Sequence, residues 1–110
     1  MGFEEDITEA ADDLFDLAGK SAVYTAPTWS AAPTVIFRGL TPDDVVSEHV
    51  RADCVVCEIR ESELQAEPER LDTIARTLPM GTQLLEVVDR KRHESGVWLL
   101  YCQQNIRVVP

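Results

Sequence analysis

The sequence lacks long hydrophobic runs. No apolar stretch approaches the ~20 residues that a helix needs to cross a bilayer, and the acidic first residues contain no apolar signal-peptide core. The chain has three cysteines, an odd number that a disulfide framework cannot pair completely. These absences predict a protein made in a reducing cytoplasm, with free thiols.

Basic residues are also scarce. The 110 residues include 10 Lys and Arg against 20 Asp and Glu, which gives a formal net charge of −10. Binding to phosphates or to an anionic membrane surface requires clustered positive charge, so this balance argues against both. It favours partners with basic or neutral faces, or serves only to keep the protein soluble.

Recognisable catalytic motifs are missing as well. The sequence contains no G-x-S-x-G elbow, no glycine-rich phosphate loop and no H-E-x-x-H helix. His49 and His93 are not flanked by a nucleophile motif, and Asp43 and Asp44 are adjacent rather than facing each other. A solvated position or a helix cap is the expected role of such acids. We therefore expect no enzymatic activity, no cofactor and no metal.

The segment DCVVCEIRESEL contains the pattern most suggestive of chemistry, a C-x-x-C at Cys54 and Cys57. Two zinc ligands must converge on one ion at about 2.3 Å, usually from a turn. The intervening residues are two β-branched valines, which favour a strand. Because side chains alternate along a strand, thiols three residues apart point to opposite faces. The pattern thus predicts structural thiols in a strand over Asp53–Ile59.

The same alternation assigns the faces of this predicted strand. Val55, Cys57 and Ile59 are expected to face the core. Glu58 and Arg60 are expected to face outward, toward a neighbouring subunit.

The rest of the chain reads as one helix followed by short strands. Apolar residues at three- and four-residue steps predict an acidic amphipathic helix over Phe3–Ala18, with Gly19 as its C-cap. The expected strands are Ser21–Ala26, Thr34–Arg38, Asp53–Ile59, Leu71–Arg76, Gln83–Asp89 and Val97–Cys102, with a short edge strand at Ile106–Val109. Leu71–Arg76 is also compatible with a short helix. The predicted fold is mainly β (α+β), a single domain over residues 1–110. It is a small antiparallel β-barrel or sandwich of about six strands with the N-terminal helix packed against it.

Two predicted loops carry candidate interface residues. PTWSAAP contains Trp29, which either folds back on the barrel or anchors a partner. RKRHESG is read as a hairpin loop, either a solvated tip or a basic patch that meets an acidic surface. If that surface is the N-terminal helix of another copy, the protein associates head to tail, and such contacts can close a ring. The candidate interface comprises Trp29, Glu58, Arg60, Arg90, Lys91, Arg92, Asp12, Asp13 and Asp16.

The order of these segments resembles a known family. DDLFDLAGKSAVYT is followed by TVIFRG, DCVVCEIRESEL and LDTI, and then by the paired segments QLLEVVDRKR and GVWLLYCQQ. This order, from about Leu14 to Gln103, resembles the head–tail joining proteins of long-tailed bacteriophages, also called head completion or tail attachment proteins. RLDTIARTLPMGTQ departs from the short turn that is usual in that family.

The resemblance implies a β-barrel or sandwich with a helix and no enzymatic activity. It implies a ring in the virion, made in the host cytoplasm, between the portal or adaptor and the tail. DNA would pass through the lumen without sequence-specific binding. Acidic residues lining the lumen would repel the DNA phosphates and so let the genome slide through. The alternatives are a tail terminator or minor tail protein and, in another class, a small β-barrel binding or adaptor module.

Overall fold

The protein is a closed antiparallel β-barrel in a computed structural model, which describes Phe15, residues 17–42, Asp44, Val50 and residues 53–104. The strands are β1 Lys20–Thr25, β2 Ser30–Ala31, β3 Thr34–Gly39, β4 Val55–Arg60, β5 Thr73–Leu78, β6 Gly81–His93 and β7 Val97–Gln104, and a 3₁₀ turn spans Glu61–Glu63. β-Branched and aromatic residues recur through these segments, as expected of strands that bury one face. The mainly β prediction is therefore correct, and the barrel alternative holds over the sandwich.

Six strands close the barrel in the order β1-β3-β4-β7-β6-β5, because β5 pairs back with β1. The β1–β3 seam is short, with two paired positions, Lys20 with Val35 and Ser21 with Thr34. Further along β1, the two residues of β2 pair with Tyr24 and Thr25 on the same edge of β1 that β3 uses. The segment PTWSAAP, expected to be only a loop, therefore contains a short strand.

The barrel interior is filled by alternate residues from all six strands. Its fully buried members include Tyr24, Val35, Ile59, Leu85 and Leu100. Val55, Cys57 and Ile59 contact this core, as the alternation in β4 predicted. Trp98 also belongs to it, as does Ile74 of β5, so the strand reading of the ambiguous LDTIAR segment is correct.

The outer face of β3, β4 and β7 is also covered. Phe15 packs there with Ile36 and Val97. A second outer cluster joins Cys54, Val56, Val88 and Tyr101 to the partly buried Leu40, Val50 and Leu99. This side of the barrel therefore carries a second apolar layer, supplied by the chain before β1 and by the segment between β3 and β4.

The predicted N-terminal helix lies mostly outside the described residues. Phe15, Leu17 and Ala18 are helical, and the Gly19 N–H donates to the Phe15 carbonyl at 2.9 Å. A Cβ at Gly19 would clash with Thr34 Cγ2 and with that carbonyl oxygen. Glycine is needed at this junction because the backbone passes so close to β3, not because of a positive φ.

The hairpin between β6 and β7 differs from the prediction. RKRHESG was expected to be a loop, but Arg90, Lys91, Arg92 and His93 continue β6 and pair with Leu100, Leu99, Trp98 and Val97. Only Glu94–Gly96 forms the turn, and Gly96 supplies its positive φ of 81°. The apolar residues of β7 hold these charged residues in the ladder, and this tertiary pairing overrides their low strand propensity.

A β-bulge interrupts the β6–β7 ladder between Val87 and Asp89. Val87 faces the interior, whereas Val88 joins the outer cluster and Asp89 lies opposite Tyr101. Beyond the bulge, the alternation of β6 is reversed. Of the remaining predicted elements, Ile106–Val109 lies outside the described residues. No helix in the described ranges has the length and hydrophobicity needed to cross a membrane.

Candidate interaction surfaces

One end of the barrel is covered by the segment between β4 and β5. Arg60 Nε lies 3.2 Å from Glu63 Oε2, and Glu63 Oε1 accepts from the Thr34 N–H at 3.2 Å. The Gln65 side-chain amide donates to the Ser30 carbonyl. These contacts hold the segment over the barrel mouth and leave a cavity of about 350 Å³. It is lined by Glu61, Leu64, Gln65, Ala66, Glu67, Arg92 and Trp98.

Trp29 lies at this end, where it packs against the core and stacks on Tyr24, with ring centroids 5.0 Å apart. Tyr24 in turn donates its hydroxyl hydrogen to Asp72, a carboxylate that is only 4% exposed. Burial, and secondly this hydrogen bond, raise the pKa of Tyr24 well above its ordinary value. Asp72 also accepts from the Glu69 N–H at 2.9 Å. The arrangement fixes the covering segment to the barrel, and Trp29 folds back onto the protein.

Glu58 and Arg60 lie on the outer face of β4 and engage other residues of the chain. Arg38 Nε is 3.5 Å from a Glu58 oxygen. Besides its contact with Glu63, the Arg60 guanidinium lies 4.8 Å from the centre of the Phe15 ring. Both side chains therefore point outward, as predicted, but contribute to the covered face.

An ion pair that the sequence did not reveal anchors the turn after β3. Arg38 donates two hydrogen bonds to Asp44, at 2.9 and 3.0 Å, and Asp44 also accepts from the Thr41 N–H at 2.7 Å. The Asp44 side chain is 6% exposed, so of the two roles expected for it, a solvated carboxylate and a helix cap, the first is wrong. Its bonds to Arg38 hold the pKa of Asp44 far below its usual range. A pattern of adjacent acids gives no signal for this pairing, because the arginine comes from the preceding strand.

Tyr101 is buried within the same covered face. Its hydroxyl has no hydrogen-bond partner of good geometry among the described residues. Burial is the main cause that raises the pKa of Tyr101, and the nearby negative charge of Asp44 adds to it.

The basic cluster of β6 does not form one patch. Arg90 and Arg92 share the side of the ladder that continues the interior, opposite Leu100 and Trp98, whereas Lys91 points to the other side. Arg92 is paired with Glu61 at 2.8 Å across the mouth of the barrel. This bond lowers the pKa of Glu61 and raises that of Arg92. The acidic residues proposed as its counterpart, Asp12, Asp13 and Asp16, lie outside the described residues.

The cysteines are buried and unpaired. Cys57 lies in the interior and Cys54 in the outer cluster, so their side chains diverge as the strand reading predicted. Cys102 shares the interior with Cys57, and the contact between these thiols, together with burial, raises the pKa of Cys102. The described part of the chain contains no group of three or more His, Cys, Asp or Glu side chains placed to hold a metal ion.

Comparisons with models of known protein families, with curated proteins and with solved structures give no match.

Proposed function

We propose that the protein is a structural virion component that forms a ring at the head–tail connector of a long-tailed phage. In this role it joins the portal or adaptor side to the tail, and DNA passes through the ring. One observation supports the proposal. Five of the segments that carry the family resemblance form neighbouring strands of one closed barrel. SAVYT lies in β1, TVIFRG is β3, VVCEIR is in β4, and QLLEVVDRKR and GVWLLYCQQ form most of β6 and β7.

The surface features are also compatible with assembly. A compact barrel presents its outer faces, its covered end and the β6–β7 hairpin to neighbouring molecules. Lys91 remains an exposed cation at the hairpin and could meet an acidic surface of another copy. Since Arg92 is already paired with Glu61, such a contact would depend mainly on Lys91 and Arg90.

The direct test is deletion of the coding gene from the phage that carries it, followed by electron microscopy of the particles. The proposal expects DNA-filled heads and separate tails, restored to complete virions by the gene supplied in trans. Complete tailed particles without the gene product would contradict it. A variant with Arg90, Lys91 and Arg92 reversed in charge tests only the basic contact, and unchanged ring size at low salt would count against that contact.

A second candidate function, a small binding or adaptor module, is favoured by the cavity at the barrel end. Its wall combines Trp98 with Arg92 and the acidic side chains of Glu61 and Glu67, and this mixture of an aromatic with polar groups is common in ligand sites. The Trp29→Phe variant would leave Trp98 as the single tryptophan, because the chain contains two. Saturable fluorescence changes with short lysine-containing peptides would support this function, and unchanged fluorescence would oppose it.

A further inference from the structure

The outer face of β1, β5 and β6 has an unusual composition for this chain. Three outward-facing residues from each strand form a grid, as strand alternation and the buried positions require. Its members are Ser21, Val23, Thr25, Thr73, Ala75, Thr77, Thr82, Leu84 and Glu86. Glu86 is the one charged residue of this grid, although 27% of the whole chain is charged.

An apolar row crosses the centre of the grid. Val23 pairs with Ala75, and Ala75 pairs with Leu84, so their side chains are cross-strand neighbours. Val23 is 50% exposed. Unlike the face of β3, β4 and β7, this face has no apolar cluster packed on it by the described residues.

The exposed large hydrophobic residues of the described chain support the same location. They are Leu17, Val23, Leu71 and Met80. Met80 is 95% exposed in the turn that joins β5 to β6, and Leu71, 70% exposed, lies two residues before β5. Three of the four therefore lie on this face or at the ends of its strands. Leu71 also has a positive φ of 76°, a strained conformation for leucine.

Charge identifies the occupant. A basic partner would bind most favourably on acidic surface, which this chain offers elsewhere. Two copies with a formal charge of −10 repel each other, and they approach at least cost where each presents the least charge, which on this face is Glu86 alone. We infer that the β1–β5–β6 face is the surface on which a second copy of this chain docks. The inference rests on the proposed function only in requiring that copies of the chain meet.

The size of the face sets the strength of the contact. Strand spacing and residue rise give the grid an area of about 240 Å². A stable interface buries about 800 Å² per partner. The isolated protein should therefore associate weakly and in a concentration-dependent manner, and a fixed neighbour in an assembly would strengthen the contact by raising the effective concentration.

The test is a concentration series of the full-length, isotope-labelled chain by nuclear magnetic resonance, from about 20 µM to about 1 mM, where weak association is detectable. The series is run at about 0.05 M and about 0.5 M salt. The amide signals of β1, β5 and β6 should shift with concentration. The shifts should be larger at high salt, because screening reduces the repulsion between copies while apolar contact persists.

Variants localise the contact. Val23→Glu and, at a second exposed position, Thr25→Glu should weaken association about tenfold, by placing a charge in the contact. Thr28→Glu adds the same charge at an exposed position in the β1–β2 turn and should change association by less than about twofold. Circular dichroism checks that each variant is folded. If Val23→Glu does not fold, Thr25→Glu still tests the contact.

Three results would overturn the inference. Spectra independent of concentration at both salt levels would exclude self-association through this face. Shifts confined to Asp89–His93 that weaken at high salt would assign the contact to the basic strand, which leaves the proposed ring intact. If the spectra do not depend on concentration but truncation after Gln104 changes the amide signals of β1, β5 and β6, the face is covered by the chain's own last residues and not by a second copy. Failure of the phage deletion test would leave the self-association result unaffected.

Discussion

The two outer faces of the barrel differ in what covers them. On the side of β3, β4 and β7, Val56 is fully buried beneath a second apolar layer, and Arg38 and Asp44 hold the adjoining turn. On the side of β1, β5 and β6, Val23 is half exposed among threonines. Both faces belong to the same closed sheet, so strand pairing does not determine which is buried. The difference teaches that, among the described residues, the chain before β1 and the segment between β3 and β4 cover one face and leave the other without an apolar layer.

The largest effect expected from this difference comes from a matched pair of truncations. Val56→Ala removes two methyl groups from a fully buried site and should lower the free energy of unfolding by about 2–3 kcal/mol. Val23→Ala removes the same atoms from the half-exposed site and should cost about 0.5 kcal/mol. Urea unfolding at low protein concentration measures both. Equal losses would mean that the two faces are equally covered.

A smaller effect is expected at the ion pair of the covered face. Asp44→Asn should cost about 1–2 kcal/mol at neutral pH, because Arg38 loses its main charged partner. The folded-state pKa of Asp44 is depressed, so its stabilisation is present above the unfolded value near 3.8 and is lost as pH falls toward the folded value. The wild type should therefore lose stability below about pH 4, and the variant should lose less.

This pH dependence is measured by urea unfolding from neutral to acidic pH. Glu67→Gln is the control, since Glu67 is an exposed carboxylate of the barrel end. Identical acid profiles of the wild type and Asp44→Asn would show that the pair does not stabilise the covered face.

Titration of the two tyrosines at alkaline pH tests whether both sites are covered, without any substitution. The chain has two, Tyr24 inside the barrel and Tyr101 under the covered face, and the pKa of each is raised. A raised folded-state pKa gives stability that is complete below the unfolded value near 10 and is lost above it. Phenolate absorbance should therefore stay low through pH 10 and rise together with unfolding. Ionisation of one tyrosine in the folded protein would locate an uncovered site.

The smallest effect is expected at the exposed pair between Arg92 and Glu61. Arg92→Ala should leave the melting temperature unchanged within error, because solvent and salt screen an ion pair at the surface. Differential scanning calorimetry measures this, with Arg38→Ala as the contrasting variant on the covered face. A clear loss with Arg92→Ala would show that the covered end of the barrel contributes to global stability.

Local pattern predicted much of the barrel but not its closure. Alternation in VVCEIR identified the residues of β4 that face the interior, because side chains must follow the two-residue period. It did not reveal that Val56, on the outer face, is also fully buried. Pairing of β1 with β5 joins segments about fifty residues apart in the chain, and a local pattern carries no information about it. The charged end of β6, Arg90–His93, was predicted to be a loop, since only its pairing with Val97–Leu100 makes it a strand.

The candidate surfaces were predicted less completely. Trp29 was recognised as either packed or free, and its stacking on Tyr24 depends on how β2 turns back. Asp44 and Asp72 were missed because their partners, Arg38 and Tyr24, are set by the tertiary fold. The grid with its single charge was also missed, since its nine residues come from three strands and adjoin only when the barrel closes.

The bulge at Val88 has a consequence for how the molecule can vary. It separates β6 into Gly81–Val87, which pairs with β5 and with the end of β7, and Asp89–His93, which pairs with β7 alone. Adding one pair of residues to each arm near the turn would lengthen the hairpin by about 7 Å and preserve the phase of every strand below. Descendants of this sequence could therefore adjust how far the hairpin extends toward a neighbour without redesigning the interior.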